Sequence, residues 1–165
     1  ADNTEHGAIS ASSARAAIPT PEAKAETWRA VVEEGTMPNS LQAAAIAGFR
    51  KTQDPQLLAP YTQRYFEQVT DIYRTRSHEL AEQIAVGLFP RTAVQADEFI
   101  AQIPEDLNGL RRLALEGRDR VVRAVAAQEV DAAHPASPGV HEPDLTALAD
   151  AEAAKRTPAP RTTME

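Results

Sequence analysis

Apolar residues recur three or four positions apart along most of the chain, which is the spacing of one face of a helix. The clearest stripes are Trp28, Val31 and Val32; Leu41, Ala45, Gly48 and Phe49; Tyr61, Tyr65, Val69 and Tyr73; Leu80, Ile84 and Leu88; and Leu110, Leu113, Gly117, Val121 and Val125. Strict alternation of apolar and polar residues is essentially absent. We therefore predict helices and no strands.

Prolines and small polar residues indicate where these helices begin and end. Thr20 is a suitable N-cap, and Pro21 occupies the first turn that proline favours. Gly35 ends that helix, because glycine readily takes the left-handed conformation that follows a helix. Asn39 or Ser40 is then expected to cap the next helix.

The last predicted helix is the longest and runs from about residue 106 to about residue 128. Residues 129–165 contain five prolines and no aromatic residue. Such a segment cannot bury enough apolar surface to offset the entropy lost on ordering its backbone. We predict a helical domain over residues 1–128 and a low-complexity, disordered tail over residues 129–165, with a short helix from Leu145 to Lys155.

The expected fold is all-α. About six or seven helices joined by short loops place neighbouring helices antiparallel to one another. Antiparallel helix pairs can stack into an α-solenoid of the HEAT-like type, or they can pack as an irregular bundle. Since no clean repeat period is present, the pattern does not distinguish between these two architectures.

Charge and composition exclude several classes of function. The net charge is −7, which argues against nucleic-acid binding because phosphate contacts need a basic face. The chain has no cysteine, so disulfides and thiolate metal sites are excluded. No run of about 18 apolar residues is present, so no membrane span is expected.

The residues that could carry catalysis do not form a recognisable constellation. Zinc peptidases use two histidines one helical turn apart with a glutamate beside the first. His78 is followed by Glu79 and, at the second histidine's place, by Glu82; His141 begins a similar segment without completing it. We interpret His78 as a solvated residue in the first turn of its helix. Neither a nucleophile elbow nor a glycine-rich phosphate loop is present, so we predict no catalytic residue and no metal site.

Several segments nevertheless carry a family resemblance through their order and spacing. They are Asp2-Asn3-Thr4 with Gly7, Ile18-Pro19-Thr20-Pro21-Glu22 with Trp28, Asn39-Ser40-Leu41 with Gly48-Phe49, Leu57-Leu58 with Pro60-Tyr61 and Tyr65-Phe66, Leu88-Phe89-Pro90, and Leu110-Arg111-Arg112-Leu113 with Arg118-Asp119. Over about residues 2 to 128 the chain resembles the C-terminal helical domain of bacterial zinc aminopeptidases of the aminopeptidase N type.

That resemblance implies a role without implying catalytic residues in this segment. In the family, zinc and the catalytic groups lie in a separate domain, and the helical domain closes over the active site to form a chamber that admits peptides. The expected partners are therefore the catalytic domain of the same polypeptide and peptide substrates, with no nucleic acid and no membrane. The expected location is the cytoplasm. The chain begins with Ala1, which we interpret as the start of a piece of a longer polypeptide.

Four polar or amphipathic residues beside the apolar stripes are candidates for facing the substrate chamber: Asn39, Gln42, Tyr61 and Tyr65. The spacing of the two tyrosines also suits a place in the core, with the hydroxyl groups reaching a partner at its edge. A second interpretation of the whole chain is a free-standing helical-repeat protein that binds a peptide or a partner protein. An independent enzyme is the least supported interpretation.

Overall fold

The regular structure of the described residues is helical throughout, as the sequence predicts. The computed structural model describes residues 2–91 and 95–133. Its α-helices are α1 (Asp2–Ala17), α2 (Pro21–Trp28), α3 (Asn39–Phe49), α4 (Ala59–Thr75), α5 (His78–Gly87), α6 (Ala96–Gln102) and α7 (Asn108–Ala133). A π-helical turn (Arg29–Glu34) continues α2, and a 3-10 turn (Pro55–Leu57) precedes α4. The all-α prediction is confirmed.

Contacts group Ala1–Ala126 into one compact unit and Ala127–Glu165 into a second. Helices α1 and α3 pack closely along each other in the first unit, and a glycine makes this approach possible. A Cβ added to Gly48 would overlap the backbone carbonyl of Ser13, so only glycine fits there. Gly48 therefore permits a close approach between the two backbones.

The helix beginning at residue 21 has the predicted start and end. Thr20 Oγ1 accepts a hydrogen bond from the Ala23 N–H at 3.3 Å, and Gly35 has φ 62°. The predicted cap of α3 is wrong, however. Helix α3 begins at Asn39 itself, and Pro38 holds the N-cap position without a side-chain hydrogen bond. The Pro38 carbonyl accepts from the Gln42 N–H at 2.9 Å, so the proline backbone starts the helix without a side-chain cap.

The π-helical turn was not predicted from the sequence. It widens the helix after Trp28, and the side chain of Arg76, just after α4, supplies donors to its last carbonyls. Arg76 Nη1 donates to Val31 O at 2.5 Å and Nη2 donates to Val32 O. The turn is thereby joined to the end of α4.

Other helix ends are capped in the same way, by side chains from elsewhere in the chain. Lys24 Nζ donates to Ala16 O at 2.7 Å, at the end of α1, and to Phe49 O at 3.0 Å, at the end of α3. These carbonyls lie among the last four of their helices and have no partner within them. One lysine from α2 therefore caps two helices at once.

The end of α6 is capped by α7. Arg111 Nη1 donates to Ile100 O at 3.1 Å, and Arg111 Nη2 donates to Ile103 O at 2.5 Å. Leu110, beside this arginine, is fully buried. The guanidinium therefore binds the backbone of α6 at the place where the apolar face of α7 enters the core.

Helix α7 differs from its prediction at both its buried face and its end. Leu110 and Leu113 are buried as predicted, and Val121 is partly buried, but the side chain of Val125 is 46 % exposed. Among the described residues, the buried positions of α7 end at Gly117, so the apolar spacing continues beyond the packed part of the helix. The helix itself continues to Ala133 instead of ending near residue 128. The rest of the predicted tail, including its short helix, lies outside the described residues.

Helix α1 begins at Asp2, and no element before Thr20 was identified from the apolar stripes. Residues 4–8 are all exposed. Apolar periodicity is therefore missing there, and helix propensity alone could not identify the start.

Candidate functional site

Gln42 lies inside the helix packing. Its side chain has no exposed surface. Nε2 donates to Leu80 O at 3.0 Å and to Gln83 Oε1 at 3.1 Å, both on α5. These hydrogen bonds hold α3 and α5 together, and a peptide could contact Gln42 only if this packing opened.

Tyr65 is buried in the same region, with 2 % of its surface exposed. Its hydroxyl donates to Ala85 O at 2.6 Å, near the end of α5. The rings of Phe66 and Phe89 lie edge-on to it, with centroids 5.3 Å and 5.7 Å away. Burial strongly raises the pKa of the Tyr65 hydroxyl, because the phenolate would lose its hydration. Tyr65 therefore serves as a neutral hydrogen-bond donor.

Tyr61 belongs to a different aromatic group. Its ring centroid lies 5.0 Å from that of Trp28 and 5.1 Å from that of Phe49. Burial raises the pKa of Tyr61, Glu33 raises it further, and the neighbouring cation Arg64 opposes both. The core interpretation of the two tyrosines agrees with this packing.

Asn39 is the first residue of α3 and is half-buried. The structure therefore gives the four candidates different surroundings: Gln42 and Tyr65 both hydrogen-bond α5, Tyr61 packs beside Trp28, and Asn39 lies at a helix start. Their role as chamber residues remains a prediction.

No metal site is found among the described residues. His78 Nε2 lies 3.6 Å from Glu82 Oε2, one helical turn away, and both side chains are largely exposed. Within residues 2–91 and 95–133, no group of three or more His, Asp or Glu side chains is placed to hold an ion. His141, the other candidate, lies outside the described residues. His78 and Glu82 thus form an exposed surface pair.

Lys24 was missed in the sequence, although a signal for it was present. Its side chain is fully buried and its ammonium lies 5.5 Å from the ring centre of Phe49. Burial lowers the pKa of Lys24, because the charged form is poorly solvated there. Lys24 precedes Trp28 by one helical turn and so shares its buried face. A lysine that shares the buried face of a helix indicates a buried ammonium group, which needs carbonyl acceptors.

Two cavities open on the surface. One, of about 250 Å³, lies beside the π-helical turn and is lined by Val32, Glu33, Gln68, Asp71, Ile72, Thr75 and Arg76. The other, of about 680 Å³, lies where α1 and α3 end. Neither is lined by any of the four candidate residues. None of the described helices combines the length and apolar composition that crossing a bilayer requires.

Comparison with known proteins agrees with the resemblance read from the sequence. Residues 1–123 match the family described as ERAP1-like C-terminal domain. The chain is 48 % identical over 138 residues to aminopeptidase N of Streptomyces lividans. That match covers 80 % of this chain and 16 % of the relative, so the chain spans about one sixth of the length of the enzyme that it matches. The chain therefore belongs to the family of ERAP1-like C-terminal domains and is a C-terminal domain of the aminopeptidase N type.

Proposed function

We propose that this chain is the non-catalytic C-terminal helical domain of a zinc metallo-aminopeptidase that removes N-terminal residues from peptides. The observation that carries this proposal is the 48 % identity to aminopeptidase N over 80 % of the chain. Catalysis and zinc belong to the catalytic domain of the same polypeptide. The complete enzyme works in the cytoplasm.

In this proposal the domain is a wall of the substrate chamber and controls which substrates enter. Side chains such as Lys24 and Arg76 hydrogen-bond the ends of neighbouring helices and so hold them together. A surface cross-linked in this way suits the wall of a chamber better than it suits a mobile catalytic element. Of the four candidates, Asn39 is the most accessible, while Gln42 and Tyr65 would shape the wall from within by holding α5 in place.

The proposal is tested by comparing the complete enzyme with a form that lacks this domain. Substrates should be a single amino-acid anilide, peptides of increasing length and a folded protein with an accessible N-terminus. We expect hydrolysis of the anilide to change little, while the preference for peptide length broadens. Zinc content is the control for an intact catalytic domain. If both forms show the same length preference, the chamber role is refuted.

A finer test concerns the candidate residues. Gln42→Ala and Tyr65→Phe in the complete enzyme should alter the length preference if they shape the chamber wall. Arg112→Gln, an exposed change on α7, is a matched control. If both variants keep the same preference for peptide length, Gln42 and Tyr65 do not shape the chamber wall.

The alternative is a free-standing helical-repeat protein that binds a peptide or partner protein. An immunoblot of source cells, with an antibody against residues 20–128, separates the two proposals. We expect a band much larger than 17.8 kDa, the mass of this chain. A band at that mass would instead favour the free-standing protein.

A further inference from the structure

Positive charge collects at one place on this otherwise acidic chain. Arg50 and Lys51 directly follow α3, and Arg91 follows α5. Arg91 Nη2 donates to the backbone carbonyl of Arg50 at 3.0 Å, so these two segments lie side by side. This hydrogen bond uses one guanidinium nitrogen on a neutral carbonyl and leaves the positive charge of Arg91 uncompensated.

A fourth cation comes from α7. Gly117 packs so closely against the ring of Phe89 that an added Cβ would overlap it, and Phe89 lies just before Arg91. Arg120, one turn further along α7, carries the fourth charge and lies near enough to Arg50 to act on it. Burial lowers the pKa of Arg50, and the positive charges of Arg91 and Arg120 lower it further. Arg91 and Arg120 therefore each lie close enough to Arg50 to repel its guanidinium group.

This charge has no ion-pair partner within the part of the chain that the structure describes. Among the described residues, the ion pairs involve other arginines or His78, and no carboxylate pairs with Arg50, Lys51, Arg91 or Arg120. The whole chain has 24 acidic residues against 17 Lys and Arg, so carboxylates are abundant elsewhere. Like charges that lie close together repel one another, and an anion bound between them would relieve that repulsion.

The cavity of about 680 Å³ opens beside these cations. We call it, with Arg120, the basic groove; it is lined by Ala17, Pro19, Arg50, Lys51, Thr52, Gln53, Asp54, Leu57 and Arg91. Asp54 is its only acidic lining residue, and its Oδ1 accepts from the Gln56 N–H at 2.9 Å within its own turn. The groove thus combines apolar walls with positive charge, and its volume suits a short peptide segment.

We propose that the basic groove is a docking surface for an acidic peptide segment. Its Asp and Glu carboxylates would pair with Arg50, Lys51, Arg91 and Arg120, and its aliphatic carbons would cover Ala17, Pro19 and Leu57. Nucleic acid is the poorer occupant, since a net charge of −7 repels an extended polyanion while a short segment stays within the groove. The proposal does not depend on the aminopeptidase function, because it rests on the charge and shape of this surface alone.

The test uses the complete 165-residue chain and a fluorescein-labelled Glu-Ala-Glu-Ala-Glu peptide, with Gln-Ala-Gln-Ala-Gln as the uncharged probe. In fluorescence anisotropy at low ionic strength, we expect the Glu peptide to bind and the Gln peptide not to bind. Raising the salt concentration should weaken binding, because exposed charges are screened. Lys51→Gln and Arg120→Gln should each weaken it by about two- to fivefold, as for exposed ion pairs.

Arg112→Gln is the matched control, since it removes an exposed arginine of α7 that does not line the basic groove. It should leave binding unchanged. Equal weakening by Arg112→Gln, or absence of Glu-peptide binding, would overturn the proposal. Tighter binding of a labelled single-stranded oligonucleotide of equal charge would overturn the assignment to a peptide. Thermal unfolding of each variant verifies folding, and Arg91→Gln replaces any variant that fails to fold.

Discussion

Lys24 offers the sharpest test of how the helices are held together. The proposed change is Lys24→Met, which keeps most of the length and apolar character of the side chain and removes its ammonium group. Ala16 O and Phe49 O then lose the donor that lies 2.7 Å and 3.0 Å away. Among the described residues, no backbone N–H of a turn or loop donates to either carbonyl in its place.

The size of the effect follows from burial. Ala16 and Phe49 are 2 % and 4 % exposed, so water cannot readily reach the carbonyls that lose their partner. Each unsatisfied buried acceptor costs about 1–3 kcal/mol. Removing a buried ammonium recovers part of this cost, because the charge no longer has to be desolvated. We expect a net loss of about 1–3 kcal/mol in the free energy of unfolding.

Urea unfolding followed by circular dichroism measures this loss, with Lys51→Met as the matched control. Lys51 is exposed, so its replacement should change stability by less than about 0.5 kcal/mol. A Lys24→Met variant as stable as the unchanged protein would refute the reasoning, because desolvation would then outweigh the two hydrogen bonds.

The unchanged protein and Lys24→Met should also differ in how their stability depends on pH. Burial lowers the pKa of Lys24 below its ordinary value of 10.5, so between the two values the unfolded chain binds more protons than the folded one. The contribution of Lys24 to the free energy of unfolding therefore rises as the pH increases toward 10.5. The stability difference between the unchanged protein and Lys24→Met should grow over that window, and tyrosine ionisation cancels in the comparison. A difference that shrinks with rising pH would contradict the role of desolvation.

Two further predictions concern close contacts within the helix packing. Tyr65→Phe removes the hydroxyl that donates to Ala85 O at 2.6 Å. We expect the free energy of unfolding, measured in urea, to fall by about 0.5–1.5 kcal/mol. An unchanged urea midpoint would show that this hydrogen bond does not contribute to stability. Gly48→Ala should destabilise by about 1–3 kcal/mol, because the new methyl group overlaps Ser13 O. Gly7→Ala is its control, since a Cβ there meets nothing within 4 Å, and it should stabilise by about 0.5–1 kcal/mol. If both alanine variants gain stability, α1 and α3 are not in close contact at Gly48.

The helices themselves were predictable because their apolar faces are regular. Trp28, Tyr65 and Leu110 all occupy the buried positions that their spacing indicated. The pattern failed at Val125, where the spacing continues although no described residue buries it. Periodicity records which residues could be buried, and tertiary contacts decide which of them are.

Polar residues in the core were harder to identify. The sequence showed Gln42 as an amide beside an apolar stripe, and it did not show that α5 supplies both acceptors of its Nε2. The π-helical turn was likewise unpredictable, since the carbonyls of Val31 and Val32 are bonded by Arg76, which lies far along the chain. Such partners depend on the fold, and no local pattern reveals them.

Capping by distant side chains affects how the protein opens. The last turn of an ordinary helix frays by itself, and its amide protons exchange with solvent far faster than those at the centre. Here the ends of α1, α3 and α6 are bound by Lys24 and Arg111 from other helices, so one end cannot loosen without breaking a contact to a neighbour. Fraying of α1 is thereby coupled to fraying of α3, because both ends share Lys24, while the end of α6 can loosen only by releasing α7. We expect amide exchange and protease cleavage at these helix ends to be slowed accordingly.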